Sequence, residues 1–175
     1  MPERSGSFLR RVAVVMAAVT VTAALAACDP LVRAHTTGGS AKSAPATAAE
    51  HQVIDAVNRY RSAHHLGALG WNANISDKAK LWAAWMAGGN CGRGANGVPA
   101  ICHSNLTSGI TVGWSLLEEN VGAAAPQSNL AGILSGFEHS PHHAANMLNP
   151  TITSIGAGVA YAGNVVFVAE EFMAS

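Results

Sequence analysis

Charge is scarce in this chain. Of 175 residues, 11% are Asp, Glu, Lys or Arg, and ten acidic residues offset ten basic ones. A balance of that kind carries no basic footprint for nucleic acid. No segment repeats, no phosphate loop is present, and no G-x-S-x-G elbow offers a serine nucleophile. The longest apolar run, Val12 to Ala27, is about 16 residues, short for a span that needs about 20. Cysteine is limited to Cys28, Cys91 and Cys102, with no C-x-x-C pair of the kind that clamps zinc.

What is present begins with an address. Arg4, Arg10 and Arg11 precede the apolar run, which ends in small residues, so residues 1–27 read as an export signal. Leu25-Ala26-Ala27-Cys28 is similar to a bacterial lipobox, in which the cysteine is lipidated and becomes the new N-terminus. The alternative is an ordinary signal cut after Ala27 that leaves Cys28 a free thiol. Without residues 1–27 the chain keeps seven basic and nine acidic residues. Residues 28–48 are rich in Ala, Thr, Ser and Gly and bury too little to order themselves, which predicts a disordered tether. Residues 49–175 are long enough for one hydrophobic core. The expected location is outside the cytoplasm, on the cell membrane through Cys28 or secreted.

Val53, Ile54, Val57 and Tyr60 follow helical spacing from about Ala48, with Gly67 as the expected C′ glycine. Asn74 is the expected N-cap of a second helix, which ends at Gly88-Gly89. Its Ala79, Leu81, Trp82, Trp85 and Met86 cover more than one side and predict a mostly buried helix. A loop over 90–107 follows. In an exported protein its Cys91 and Cys102 should pair, fixing His103 beside the second sulfur, with a cysteine–histidine zinc site as the rival. Glu118 and Glu119 stand in an apolar segment, where strand alternation sends one of them inward to a histidine or metal partner. Ser128 is the expected cap of a third helix with a Leu130, Ile133, Leu134, Phe137 stripe. Two β-rich runs, Ile152 to Tyr161 and Val165 to Phe172, flank Ala162-Gly163-Asn164 and predict a hairpin.

Between helix and hairpin lies the densest chemistry, Phe137 to Pro150, with Glu138, His139, His142 and His143. Ser140 followed by Pro141 reads as an N-cap with proline at N1, and Asn149-Pro150 as a stop. His142 and His143 would leave that helix about 100° apart and cannot easily share a ligand. A helix N-terminus disfavours a cation, which predicts neutral imidazoles.

Asn58-Arg59, Cys102-His103-Ser104, Glu119-Asn120-Val121, the Ser140 to Pro150 stretch and the closing hairpin occur in the order seen in the CAP superfamily. On these motifs, residues 49–175 resemble the cysteine-rich secretory, antigen 5 and pathogenesis-related 1 proteins, in particular the bacterial lipoprotein-type members. The resemblance implies an α+β fold, an α-β-α sandwich with a small antiparallel sheet closed by a C-terminal hairpin. It implies a cleft where His103, His143 and Glu119 can bind a divalent cation, zinc or magnesium. His142, Glu118 and Ala144 depart from the family's usual Gly, Gly and Arg. Ser140 stands where eukaryotic members carry a second glutamate, for which Glu138 is a possible substitute.

Three functions fit. The first is a membrane-tethered binding module whose cleft takes a cation and a lipid, glycan or protein ligand, with no nucleic-acid partner. The second is a metal-dependent, peptidase-like hydrolase in which Glu119, His103 and His143 would be catalytic around a metal-bound water. The third makes the same residues a hydrogen-bonded cluster without metal. No serine, cysteine or threonine nucleophile with a committed base can be named, which favours binding.

Overall fold

The computed structural model of the protein describes residues 44–94 and 96–175. The export signal, Cys28 and the tether up to residue 43 lie outside the described residues. Among the described residues four helices, α1 (Ala48–Ala63), α2 (Ala73–Ala87), α3 (Leu130–His139) and α4 (Pro141–Met147), accompany four strands, β1 (Gly70–Trp71), β2 (Leu116–Ala124), β3 (Ser154–Ala162) and β4 (Val165–Ala174). They form a mixed α/β fold with one sheet in the order β1-β3-β4-β2. β2–β4 and β3–β4 pair antiparallel, and the two residues of β1 add a parallel pair to β3. The predicted hairpin is β3–β4, turning at Gly163 with φ 56°.

β4 is buried along its whole length because helices cover both faces. One face packs Val166, Val168 and Phe172 against Val53 and Val57 of α1, Ile133 and Phe137 of α3, and Met147 of α4. The other packs Val165, Phe167 and Ala169 against Ala79, Ala83 and Met86 of α2. Strand alternation thus divides the apolar side chains of β4 between two cores. α2 lies close on β3 because Gly156 and Gly158 present no Cβ; one added at either position would collide with the α2 backbone at Ile75–Ser76 or Ala79–Lys80.

Several expected boundaries move by one or two residues. α1 begins with a capping box, Thr47 accepting from Glu50 N–H and Glu50 accepting from Thr47 N–H. It ends at Ala63, where His65 takes φ 62°, so the left-handed residue is His65 and not Gly67. Arg61 sets that exit by donating to the carbonyls of Gly67, Met147 and Asn149. The α2 cap is Asn72, whose side chain accepts from Asn74 and Ile75 N–H, and Asn74 lies inside the helix. α3 is preceded by Asn129 rather than Ser128, without a side-chain cap bond. Ser140 does precede α4 with Pro141 at its start, but its side chain makes no cap bond. α2 is less buried than its composition predicts: Leu81 is 60% exposed, and Trp82 and Trp85 are half-buried and stacked on each other. Among the described residues no helix is long and apolar enough to cross a membrane.

Candidate functional site

β2 is an edge strand, flanked by β4 on one side only. Its alternation sends Glu119 towards α2 and Asn120 towards α4. β4 repeats the division one strand further in, with Glu171 towards Lys78 of α2 and Glu170 towards Asn120. The edge of β2 therefore carries polar side chains to both layers, and a histidine reaches it from each.

On the α2 side, the Cys91–Cys102 disulfide has formed, with Cα atoms 5.7 Å apart, and Trp82 Nε1 donates to Cys102 O at 2.8 Å. The loop so pinned presents His103, 65% exposed, with Nδ1 2.8 Å from Glu119 Oε1. Ser104 N–H donates to the same oxygen at 2.9 Å. Lys78 Nζ donates to Ser104 Oγ at 2.5 Å, contacts Glu171 Oε1, and lies 3.8 Å from Glu119 Oε2. Burial works against ionisation of Glu119, yet hydrogen bonds from Ser104, Glu171 and His103 hold its carboxyl below the usual range. Burial pushes Glu171 up to about 8 against the pull of Lys78, and the nearby charge of Glu119 adds to the rise. Glu119 Oε2 and Glu171 Oε2 are both buried without a partner as bare carboxylates. A proton on Glu171 donated to Glu119 satisfies both, and leaves one negative charge on the pair for the Lys78 ammonium to balance.

On the α4 side the same problem is solved with amides. Asn120 Nδ2 donates to Glu170 Oε2 at 2.9 Å and to His143 O at 3.2 Å. Asn146 Nδ2 donates to Asn120 Oδ1 at 2.9 Å and to Glu119 O at 3.2 Å. Glu170 is fully buried, and burial pushes its carboxyl up to about 8, the charge of Glu138 adding to the rise and the Asn120 bond opposing it. Half-buried Glu118 accepts from Asn149 Nδ2 at 2.9 Å. Glu138 accepts from Tyr60 O–H through its backbone carbonyl.

His143 leans on Phe137, ring centroids 4.6 Å apart, and its Nδ1 is buried with no hydrogen-bond partner among the described residues. It is held towards the neutral form as predicted, but the leading cause is burial, followed by the charges of His103 and His142, rather than the helix terminus. His143 lines a mostly apolar groove of about 380 Å³ together with Ile133, Gly136 and Phe137 of α3 and Ile101 of the disulfide loop. His103, Ser104, Glu118, Glu119 and Asn146 line a second cavity, of about 340 Å³.

His103 and His143 line different cavities, and they are close enough for the charge of one to bear on the other. With His103 Nδ1 directed at Glu119, its Nε2 remains for a ligand, the arrangement in which a carboxylate orients a metal-binding histidine. Among the described residues no three His, Cys, Asp or Glu side chains converge to enclose an ion by themselves. The sequence reading held Ser104, Asn120 and Asn146 only as members of motifs, without a role, and overlooked Lys78, Glu170 and Glu171. Two signals for them exist in the sequence, adjacent glutamates inside the apolar run of β4 and a lysine on the core side of α2.

A sequence model of the cysteine-rich secretory protein family matches residues 54–172. No curated protein matches the chain. Among solved structures, an extracellular protein containing an SCP domain from Bacillus anthracis is 27% identical, with 76% of this chain and 45% of that one covered and a TM-score of 0.57. Venom allergen-like protein 4 of Schistosoma mansoni is 14% identical over 74% of this chain and 90% of that one, at TM-score 0.56. A cysteine-rich secretory protein of Staphylococcus aureus is 14% identical over 73% and 38%, also at 0.56. The chain spans less than half the length of the two bacterial proteins.

Proposed function

The chain belongs to the cysteine-rich secretory protein family, and on that premise we propose that it is an exported binding domain, tethered to the cell membrane through Cys28. Its groove along β2 takes the apolar chain of a lipid and sets the polar end of that lipid at His143 and His103. The observation that carries this reading is the groove itself. It has the size of a small-ligand site, its lining is mostly apolar, and one of its few polar groups is His143, whose Nδ1 is buried and unpartnered. Such a lining offers little to a glycan, which needs hydrogen bonds along its length.

His103 and His143 would hold a zinc ion, which suits imidazole ligands better than magnesium does, and the ion would supply a fixed positive charge for an anionic headgroup. Glu119 acts behind His103, fixing its ring and tautomer. The Glu119–His103 contact also favours a second reading, a hydrolase in which that pair activates water.

Gly136 provides the test, because a Cβ there meets nothing within 4 Å, so a side chain can enter the groove without disturbing the helix. In residues 28–175, Gly136→Leu should weaken binding of a fluorescent fatty acid at least tenfold while leaving thermal stability unchanged. Equal affinity in both proteins rejects the groove as the lipid site. For the tether, Cys28→Ser should release the protein from the membrane fraction. Recovery of wild-type protein from the medium, with Cys28 carrying no lipid by mass spectrometry, rejects the anchor.

A further inference from the structure

The least expected group in the site is Lys78. Its side chain is 6% exposed, its Nζ touches Glu171 and Ser104, and it stands 3.8 Å from Glu119 Oε2. An ammonium is seldom buried without carboxylates around it. Here it faces the carboxylate that also accepts from His103 Nδ1. One oxygen of Glu119 is therefore committed to His103 and Ser104 N–H, and the other lies 3.8 Å from the Lys78 ammonium.

We infer that Lys78 is a built-in cation of the cleft, which keeps Glu119 behind His103 as a hydrogen-bond acceptor and out of the coordination sphere of a divalent ion. Two effects act together. The ammonium neutralises the charge that would draw a dication towards Glu119, and it repels a dication approaching from the His103 side. Removing it leaves the negative charge of Glu119 uncompensated beside an exposed imidazole, a harder and more negative donor set than two histidines. Lys78 is thus a positioning residue that limits cation affinity. This rests on the proposed cation site at His103 and His143, but its test is separable from it.

Isothermal titration of the full chain in detergent with zinc chloride decides the matter, with folding of each variant followed by circular dichroism. Lys78→Met should bind zinc at least tenfold more tightly than wild type. Lys78→Arg, which keeps the charge, should bind like wild type, and adding His103→Ala to Lys78→Met should abolish the gain. A lysine serving only to stabilise the fold would not produce a gain in affinity when removed. Where Lys78→Met fails to fold, Lys78→Gln/Glu171→Gln is read in its place, since it substitutes a neutral hydrogen-bonding pair of similar size and frees Glu119 alike. Zinc affinity equal to wild type in the folded variant overturns the inference and leaves the two-histidine site standing. Zinc binding by the variant and none by wild type upholds the inference and removes the cation from the proposed function.

Discussion

Glu170 and Glu171 are neighbours on one strand, both buried, and both pushed up to about 8 by burial, yet they are accommodated in opposite ways. Glu171 faces α2 and meets a buried ammonium and a second carboxylate. Glu170 faces α4 and accepts from the amide of Asn120, at 2.9 Å. The ionic side ends at His103, which is largely exposed, and the amide side ends on the backbone of His143, with Asn146 of the same helix linked to Asn120. The difference shows two tasks divided by one pleat. One layer manages charge beside the ligand-facing imidazole, and the other fixes the position of a short helix without introducing charge.

The largest effect expected to separate the two sides is on stability. Lys78→Met should cost about 3–5 kcal/mol at pH 7, the usual penalty for leaving a buried charge unpaired. Glu170→Gln should change stability by about 1 kcal/mol at most, because an amide can still accept from Asn120. Urea unfolding of the two variants compares them directly, and equal losses would erase the distinction between an ionic and an amide side.

Asn120→Ala should cost about 2 kcal/mol, since it orphans Glu170 and frees the carbonyl of His143. Its NMR signature should be a shift in the imidazole resonances of His143 larger than in those of His103. The reverse order would place Asn120 in the charge-managing layer.

The third expectation concerns pH. Folded Glu170 keeps its proton up to about 8, whereas its ordinary value is 4.5. Between those values the folded state binds the extra proton, so the contribution of Glu170 to stability is complete below about pH 4.5 and is lost as pH rises towards 8. Glu170→Gln should flatten part of the decline seen in wild-type urea midpoints over that window. An unchanged slope would mean that Glu170 is ionised in the folded protein.

The smallest effect is local. Trp82→Phe removes the bond from Nε1 to Cys102 O and should cost about 1 kcal/mol. It should raise amide exchange around His103 while leaving the α4 amides unchanged, and loss of protection in α4 would show that the two sides are coupled.

Much of the fold was legible because its signals are local. The Leu130, Ile133, Leu134, Phe137 stripe is buried in α3 as its spacing predicts, and the Ala162-Gly163-Asn164 turn joins the expected strands. Caps were less legible: Asn72 and Asn74 are the same residue type two positions apart, and only the path of the chain selects which one accepts from the helix N–H groups. Half-burial of Trp82 was also beyond reach, because it depends on the disulfide loop folding back over α2.

The sequence by itself indicated most of the elements, favoured the pairing of Cys91 with Cys102, and through its family resemblance singled out His103, Glu119 and His143, since periodicity, compartment and short motifs act within a few positions of the chain. Tertiary structure alone decided what stands around them. Lys78 meets Glu171 across 93 positions and Asn120 meets Glu170 across 50, and which glutamate meets which partner depends on the face to which the pleat turns it. A one-residue change of register in β4 would turn each carboxylate to the opposite face of the sheet, taking Glu171 away from the ammonium and bringing Glu170 to the α2 side.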